Sequence, residues 1–463
     1  MTDPVKQERL NRKISFSIGF SAWLVTLLLT VTWAMGIPLL QRIPGWIWPL
    51  TRRHVQILGP GSLLLVFAFL AAGFSFRLPG ARARIVVLVI SFLSIQYGLA
   101  LLEGRGLQAL DDRLVYTGHG QLARASLTVE NPLEVLRNYE SYTEQGALSN
   151  YALTKPPGYF LPYWFTGWLA HRLLSLYPRF NLERLQVRMA SLLFPVLSSL
   201  ILLSVFLLSR KTMEESSGVL AMALCLTIPS LQLITLHEDQ FLLPWLFGFA
   251  LWVLSLGWNR RDPGLMILSG ILAYIVIFFS FSCIYLLLFP IALSFYDHGR
   301  IVKLWLFYLG GGILAWISGW ILLGYHPLSR LFTAMTVHST WSEGKLEGIR
   351  HLSWFGAGWL NLLEFFIWLG PSLALLFFAG LVRVPESIRP YRLLLAGTLI
   401  MSAFVSGTMG ESARLWLYLI PLVVMIAAPP ALRILRSSRF AFSLLMTAQI
   451  FYLVFQKLFM DFL

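Results

Sequence analysis

Charge is scarce in this sequence. Only 13% of its 463 residues are Asp, Glu, Lys or Arg, about half the share expected of a soluble domain. A water-soluble fold is thereby excluded, and with 57% hydrophobic residues the surrounding solvent has to be lipid. Cysteine is nearly absent. Cys225 and Cys283 both fall inside apolar runs, where a thiol behaves as a small hydrophobe, so no disulfide framework is implied. Acids are scarcer than bases, 22 against 36, which leaves a formal charge of +14. No basic stretch is interleaved with exposed aromatics, so nucleic acid is not an expected partner. Internal repeats, low-complexity tracts and Asn-x-Ser/Thr sequons are also missing, the last being compatible with a bacterial cytoplasmic (inner) membrane. The first apolar run, Ser15 to Gly36, lacks a small-residue cleavage pattern and reads as a retained helix rather than a signal peptide.

What is there is a series of apolar runs of about 20 residues each. Hydrocarbon offers backbone N–H and C=O groups no water, so segments of that length have to be helices. The expected fold class is all-α: a polytopic transmembrane protein of about thirteen spans, near residues 15–36, 60–76, 84–102, 188–209, 215–234, 240–257, 264–279, 281–296, 302–324, 355–382, 391–409, 414–430 and 438–459. With the amino terminus in the cytoplasm, more than half of the basic residues, Arg210, Lys211, Arg383, Arg433 and Arg436 among them, fall in short cytoplasmic connectors. The positive balance is therefore mostly topology. Those connectors are too short for a domain, so chemistry is expected outside, in two longer segments. The first, 103–187, includes an aromatic stretch at 159–174 that suits a helix lying along the headgroups. The second, 325–353, reads as a polar loop.

Four clusters can carry chemistry. Asp111 and Asp112 follow the third span closely, and an acidic pair at the membrane surface is costly unless it meets a metal, a base or water. The plainer reading is a solvated loop with a capping Asp. Thr154-Lys155-Pro156-Pro157-Gly158 forms a stiff elbow, because two prolines fix φ and the glycine allows a sharp turn, so Lys155 can present a cation to a phosphate. An incidental snorkelling lysine explains it equally well. Glu411 and Arg414, three apart in a long apolar stretch, share one helix face and either staple a helix end or bind an anionic headgroup. His237-Glu238-Asp239-Gln240 occupies a short outer turn, with Asp239 a candidate for substrate and Glu238 for a cation, although no second ligand set accompanies it. His119 and His338 are lone histidines that serve either a substrate or a local hydrogen bond.

Taken together, an acid soon after an early span, a long outer loop with a Lys-Pro-Pro turn, an aromatic stretch and a basic lead into the next span resemble the GT-C superfamily of membrane glycosyltransferases. The passage NYALTKPPGYFLPYWFTGWLAHRLL followed by LERLQVRMASLLFPVLSSLILLSVFLLSRK is similar to the loop-to-span passage of the protein O-mannosyltransferase and lipid A aminoarabinose transferase branch. The resemblance covers the organisation of residues 84–300. It divides the chain into two additional amino-terminal helices (1–83) and a GT-C-like catalytic module (84–463). It implies a glycosyltransferase that moves a sugar from a polyprenyl-phosphate donor to a lipid, glycan or protein acceptor on the outer face of the membrane, with Asp111 or Asp112 as the base. It also aligns Lys155 with the family's Lys-Pro-Pro lysine. The family's large carboxy-terminal soluble domain has no counterpart here, and Glu411 and Arg414 align with no named family residue.

Physically, the donor already carries its leaving group. The enzyme has to orient a nucleophile, take its proton and stabilise phosphate charge as the anomeric bond breaks, with inversion if displacement is single. Lys155 and Arg414 suit the phosphate. No organic cofactor is implied, and a divalent cation is compatible with Asp111, Asp112 or Glu238 as ligands. The expected partners are the lipid-linked donor and membrane lipids. The alternatives are a transporter or flippase of a lipid-linked saccharide, which needs the cations but no base, and a non-catalytic subunit for envelope assembly.

Overall fold

The computed structural model describes residues 4–50, 55–116, 119–176, 181–234, 240–294, 301–347, 354–383, 385–404 and 410–460. Among these, every regular element is an α- or 3-10 helix, as the composition requires. Among the described residues six helices are long and apolar enough to cross a bilayer: Arg12–Ala34, Ala81–Leu101, Leu182–Thr212, Lys303–Leu323, Leu417–Ser437 and Arg439–Phe459. The chain is an integral membrane protein. Other runs expected as spans are shorter or interrupted. The run at 215–234 stops at Cys225 and restarts at Pro229, and the run at 281–296 opens as a 3-10 helix, Phe281–Leu288.

By their internal contacts the residues fall into two compact units: Met1–Gly104 with Leu202–Ile234 and His351–Phe462, and Arg105–Ile201 with Thr235–Arg350 and Leu463. In the first unit, the expected span at 355–382 is broken. Phe355–Leu369 and Pro371–Val382 meet at 114°. Gly370 takes φ +91°, open only to glycine at low cost, and Pro371 follows as a helix-starting residue. A break among apolar side chains exposes helix-end donors and acceptors, and the buried Gln449 satisfies them. Its Oε1 accepts from Ser372 N at 3.1 Å and Leu373 N at 3.3 Å, while Nε2 donates to Leu369 O at 2.8 Å and Thr227 O at 3.0 Å. A Cβ at position 370 would lie 2.2 Å from that Nε2. The same unit buries an ion pair: Lys457 Nζ lies 2.5 Å from Glu103 Oε1, with both side chains no more than 3% exposed.

In the second unit, Pro263–Phe279 and Ile301–Leu323 pack so closely that a Cβ on Gly270 would meet Tyr308 O at 2.0 Å. Small residues permit such contact in lipid, where dispersion replaces the hydrophobic drive. One apolar core, including Leu114, Leu122, Tyr139, Ala152, Phe160 and Phe194, ties together segments that the sequence presents as a long outer loop. The second expected loop is a correction. Residues Pro327–Glu347 form a 21-residue helix rather than a polar loop. Proline opens it, and its threonines bond their hydroxyls back to carbonyls four residues earlier, as Thr333 does to Ser329 O at 3.1 Å.

Candidate functional site

Asp111 sits in the helix Gln108–Tyr116, directly after the turn that ends the span Ala81–Leu101. Its carboxylate faces Leu182–Ser198, where Arg188 and Ser191 are three residues apart and share one helix face. Arg188 Nε donates to Asp111 Oδ2 at 3.0 Å and to Oδ1 at 3.2 Å, its Nη2 donates to Oδ2 at 2.5 Å, and Ser191 Oγ donates to Oδ1 at 2.8 Å. This is a charge-assisted fork closed by a hydroxyl. The Ser191 hydroxyl also lies 3.0 Å from Arg188 O, so it has a second acceptor within reach. Asp112 points elsewhere and pairs with Arg105 at 2.5 Å. The two acids are therefore neighbours with different partners. Among the described residues, no group of three His, Cys, Asp or Glu side chains is arranged to hold a metal ion.

Lys155 lies in the same unit, at an elbow built as its sequence suggests. Its backbone is extended, φ −118° and ψ 150°, as a residue before proline prefers, and Pro157 opens the 3-10 turn Pro157–Phe160. Gly158 is required by close approach, since a Cβ there would lie 2.4 Å from Phe278 O. What the sequence did not disclose is the clamp behind the elbow. Arg330, 1% exposed, reaches from Pro327–Glu347 and donates to Lys155 O at 3.3 Å, Ala152 O at 2.8 Å and Leu153 O. It also pairs with Glu140 at 2.7 Å and lies over the Tyr139 ring at 5.4 Å. The Tyr139 hydroxyl is 3.2 Å from both Ala152 O and Lys155 O. Burial pushes this phenol well above its usual range despite the Arg330 charge, so it stays protonated as the donor those carbonyls need.

From the elbow the chain enters Leu161–Leu176, whose buried Tyr163, Thr166, Gly167 and Ala170 recur at helical spacing against Leu182–Ser198. Gln186 locks the two, with Nε2 donating to Ser126 Oγ at 2.6 Å and to Tyr163 O at 3.2 Å. Leu114 of the Asp111 helix and Ala152 of the turn before Lys155 belong to one apolar core, which fixes both segments in a common body.

In the other unit, Glu411 and Arg414 form the expected pair, Nη2 to Oε2 at 2.5 Å, at the start of the short helix Ser412–Leu415. Two residues of Trp354–Leu369 seat this turn. Asn361 Oδ1 accepts from Gly410 N at 3.3 Å, and Glu364 Oε1 accepts from Ala413 N at 3.1 Å and from Trp48 Nε1 at 2.8 Å. Sequence reasoning passed over both, although a carboxylate within NLLEFFIWL is the sort of isolated polar group that marks an engaged position. His338 lies, half-buried, in Pro327–Glu347. Glu238 and Asp239 lie outside the described residues, and of His119 only the backbone, opening the helix His119–Leu127, is described.

No family model and no curated protein matches the chain. Among solved structures it is similar to the oligosaccharyltransferase of Archaeoglobus fulgidus. The apo form matches with 10% identity and a TM-score of 0.46, over 81% of this chain and 56% of that one. The form in complex with zinc and sulfate matches with 14% identity and a TM-score of 0.44, over 66% and 45%. The form of that enzyme, AglB, with an inhibitory peptide and a dolichol-phosphate matches with 12% identity and a TM-score of 0.41, over 66% and 48%. The matched part is about half of the length of those chains.

Proposed function

We propose that the chain is a GT-C-type membrane glycosyltransferase that moves a sugar from a polyprenyl-phosphate donor to an acceptor hydroxyl or amine. The observation that carries this reading is the carboxylate of Asp111, fixed by Arg188 and Ser191 in the same body as the clamped Lys-Pro-Pro elbow. Asp111 takes the proton-accepting role because its orientation is set by two helices. Arg188 places a positive charge against it, and the Ser191 hydroxyl marks a direction from which a hydroxyl donates. When an acceptor O–H arrives, Ser191 can turn to Arg188 O and leave Oδ1 to the newcomer. The acceptor proton passes to Asp111, the acceptor oxygen bonds to the anomeric carbon, and the anomeric carbon–oxygen bond breaks with its electron pair going to the phosphate. Lys155 is assigned to that phosphate, and a divalent cation is not needed to balance the step. Arg414, paired with Glu411 in the first unit, is a candidate for an anionic headgroup in its own right.

Lipid extracted from the purified chain and read by mass spectrometry tests the donor. The expected result is a polyprenyl phosphate or its glycosylated form, much reduced in Lys155→Gln. Absence of any polyprenyl phosphate from both the wild type and Asp111→Asn would sink the donor assignment. Movement of a lipid-linked saccharide across the bilayer without bond breakage would favour a flippase.

A further inference from the structure

The first unit carries a cavity of about 610 Å³ that the sugar-transfer reading does not use. It forms where helix ends meet: the end of Leu200–Thr212, the start of Glu215–Cys225, the end of Pro371–Val382 and the last turns of Ile420–Ser437. Pro429 and Pro430 lie inside that last helix and remove two backbone donors beside the cavity. Met213, Pro429 and Leu432 give the cavity apolar walls, and three arginines, Arg383, Arg433 and Arg436, line it with a single acid, Glu214.

The acid is already used. Arg436 Nη2 donates to Glu214 Oε1 at 2.8 Å. Arg433 Nη2 reaches only the backbone oxygen of Arg383, at 3.5 Å, and neither Arg433 nor Arg383 has an acidic partner among the described residues. Two exposed guanidinium groups are thus brought to one cavity whose single acid is paired with Arg436, an arrangement that can receive an anion. A guanidinium is a planar fork that matches phosphate oxygens two at a time. Apolar walls beside such a fork suit a phosphate carried on acyl chains, as at basic pockets between transmembrane helices. The positive-inside pattern explains why arginines are frequent at this end of the helices, but not why two of them converge unpaired on a cavity.

We propose that this cavity binds an anionic phosphate group, held by Arg383 and Arg433, with a phospholipid headgroup as its source. It is independent of the sugar-transfer reading. The test is native mass spectrometry of the full chain titrated with dioleoyl phosphatidylglycerol and with dioleoyl phosphatidylcholine, and calorimetry with inorganic phosphate. Phosphatidylglycerol is expected to bind at least tenfold more tightly than phosphatidylcholine, and Arg383→Gln/Arg433→Gln to erase that preference. Arg383→Lys/Arg433→Lys should restore part of it, which separates lost charge from lost folding, and the single Arg383→Gln change at an exposed side chain should already weaken it. Tight arginine-dependent binding of inorganic phosphate, with no gain from acyl chains, keeps the phosphate site but overturns the lipid source. Equal binding of both lipids by the wild type, together with no phosphate binding, overturns the proposal.

Discussion

At Asp111 two demands oppose one another: a base needs a reachable oxygen, and a carboxylate beside a membrane needs a counter-charge. Arg188 meets the second, and the exchangeable Ser191 hydroxyl leaves room for the first. Arg188→Gln should therefore lower transfer by roughly 10²–10⁴-fold, the range of general-base contributions, whereas Ser191→Ala should cost much less because only a placeholder is lost. Rates of sugar release from the donor in the two variants check this ordering, and equal losses would remove the placeholder role. The acids, Lys155 and the Glu411–Arg414 pair were legible because a charge in an apolar sequence is conspicuous. Arg188 was not singled out, since nothing local separates it from Arg184 and its partner lies 77 residues away. Arg330 was hidden more thoroughly, in a stretch whose polarity suggested a loop.

Among elements, the most informative are two whose shape the sequence pattern does not carry. The expected span at 355–382 bends at Gly370 because φ +91° is accessible there and Gln449 replaces the lost helical hydrogen bonds. Apolar periodicity carries no trace of that bend, since the compensating amide lies 77 residues from Ser372. Gln449→Leu leaves buried donors and acceptors unpaired and should destabilise the first unit by about 1–3 kcal/mol for each group that finds no water. Thermal unfolding in detergent would register this as a lowered midpoint, and an unchanged midpoint would mean that the bend is held otherwise. The helix Pro327–Glu347 matters because Arg330 projects from it to fix the turn before Lys155. Arg330→Lys keeps the charge and loses the fork. It should raise the KM for donor with little change in kcat if the clamp only orients the elbow, and a fall in kcat alone would contradict that role.

Across the whole molecule, composition and charge asymmetry were enough to establish an all-helical membrane protein, because lipid leaves the backbone few alternatives. The number of crossings was less legible. Runs expected as single spans are broken before Pro229, at the 114° bend of Gly370 and by the 3-10 turn Phe281–Leu288, and among the described residues six helices are long and apolar enough to cross a bilayer. The buried Glu103–Lys457 pair joins the end of an early span to the last helix within one unit, and neither charge was noticed in the sequence. Lys457→Met should cost about 3–5 kcal/mol by leaving Glu103 buried without its cation, and Glu103→Gln/Lys457→Met should recover much of it. Transfer itself is measured as turnover of a polyprenyl-phosphate sugar in proteoliposomes holding the full chain, with Asp111→Asn and Asp112→Asn tested singly and together. Asp111→Asn is expected to lose turnover by roughly 10²–10⁴-fold while still retaining donor lipid, and Asp112→Asn to lose less. Full turnover in the double variant would contradict Asp111 as the base.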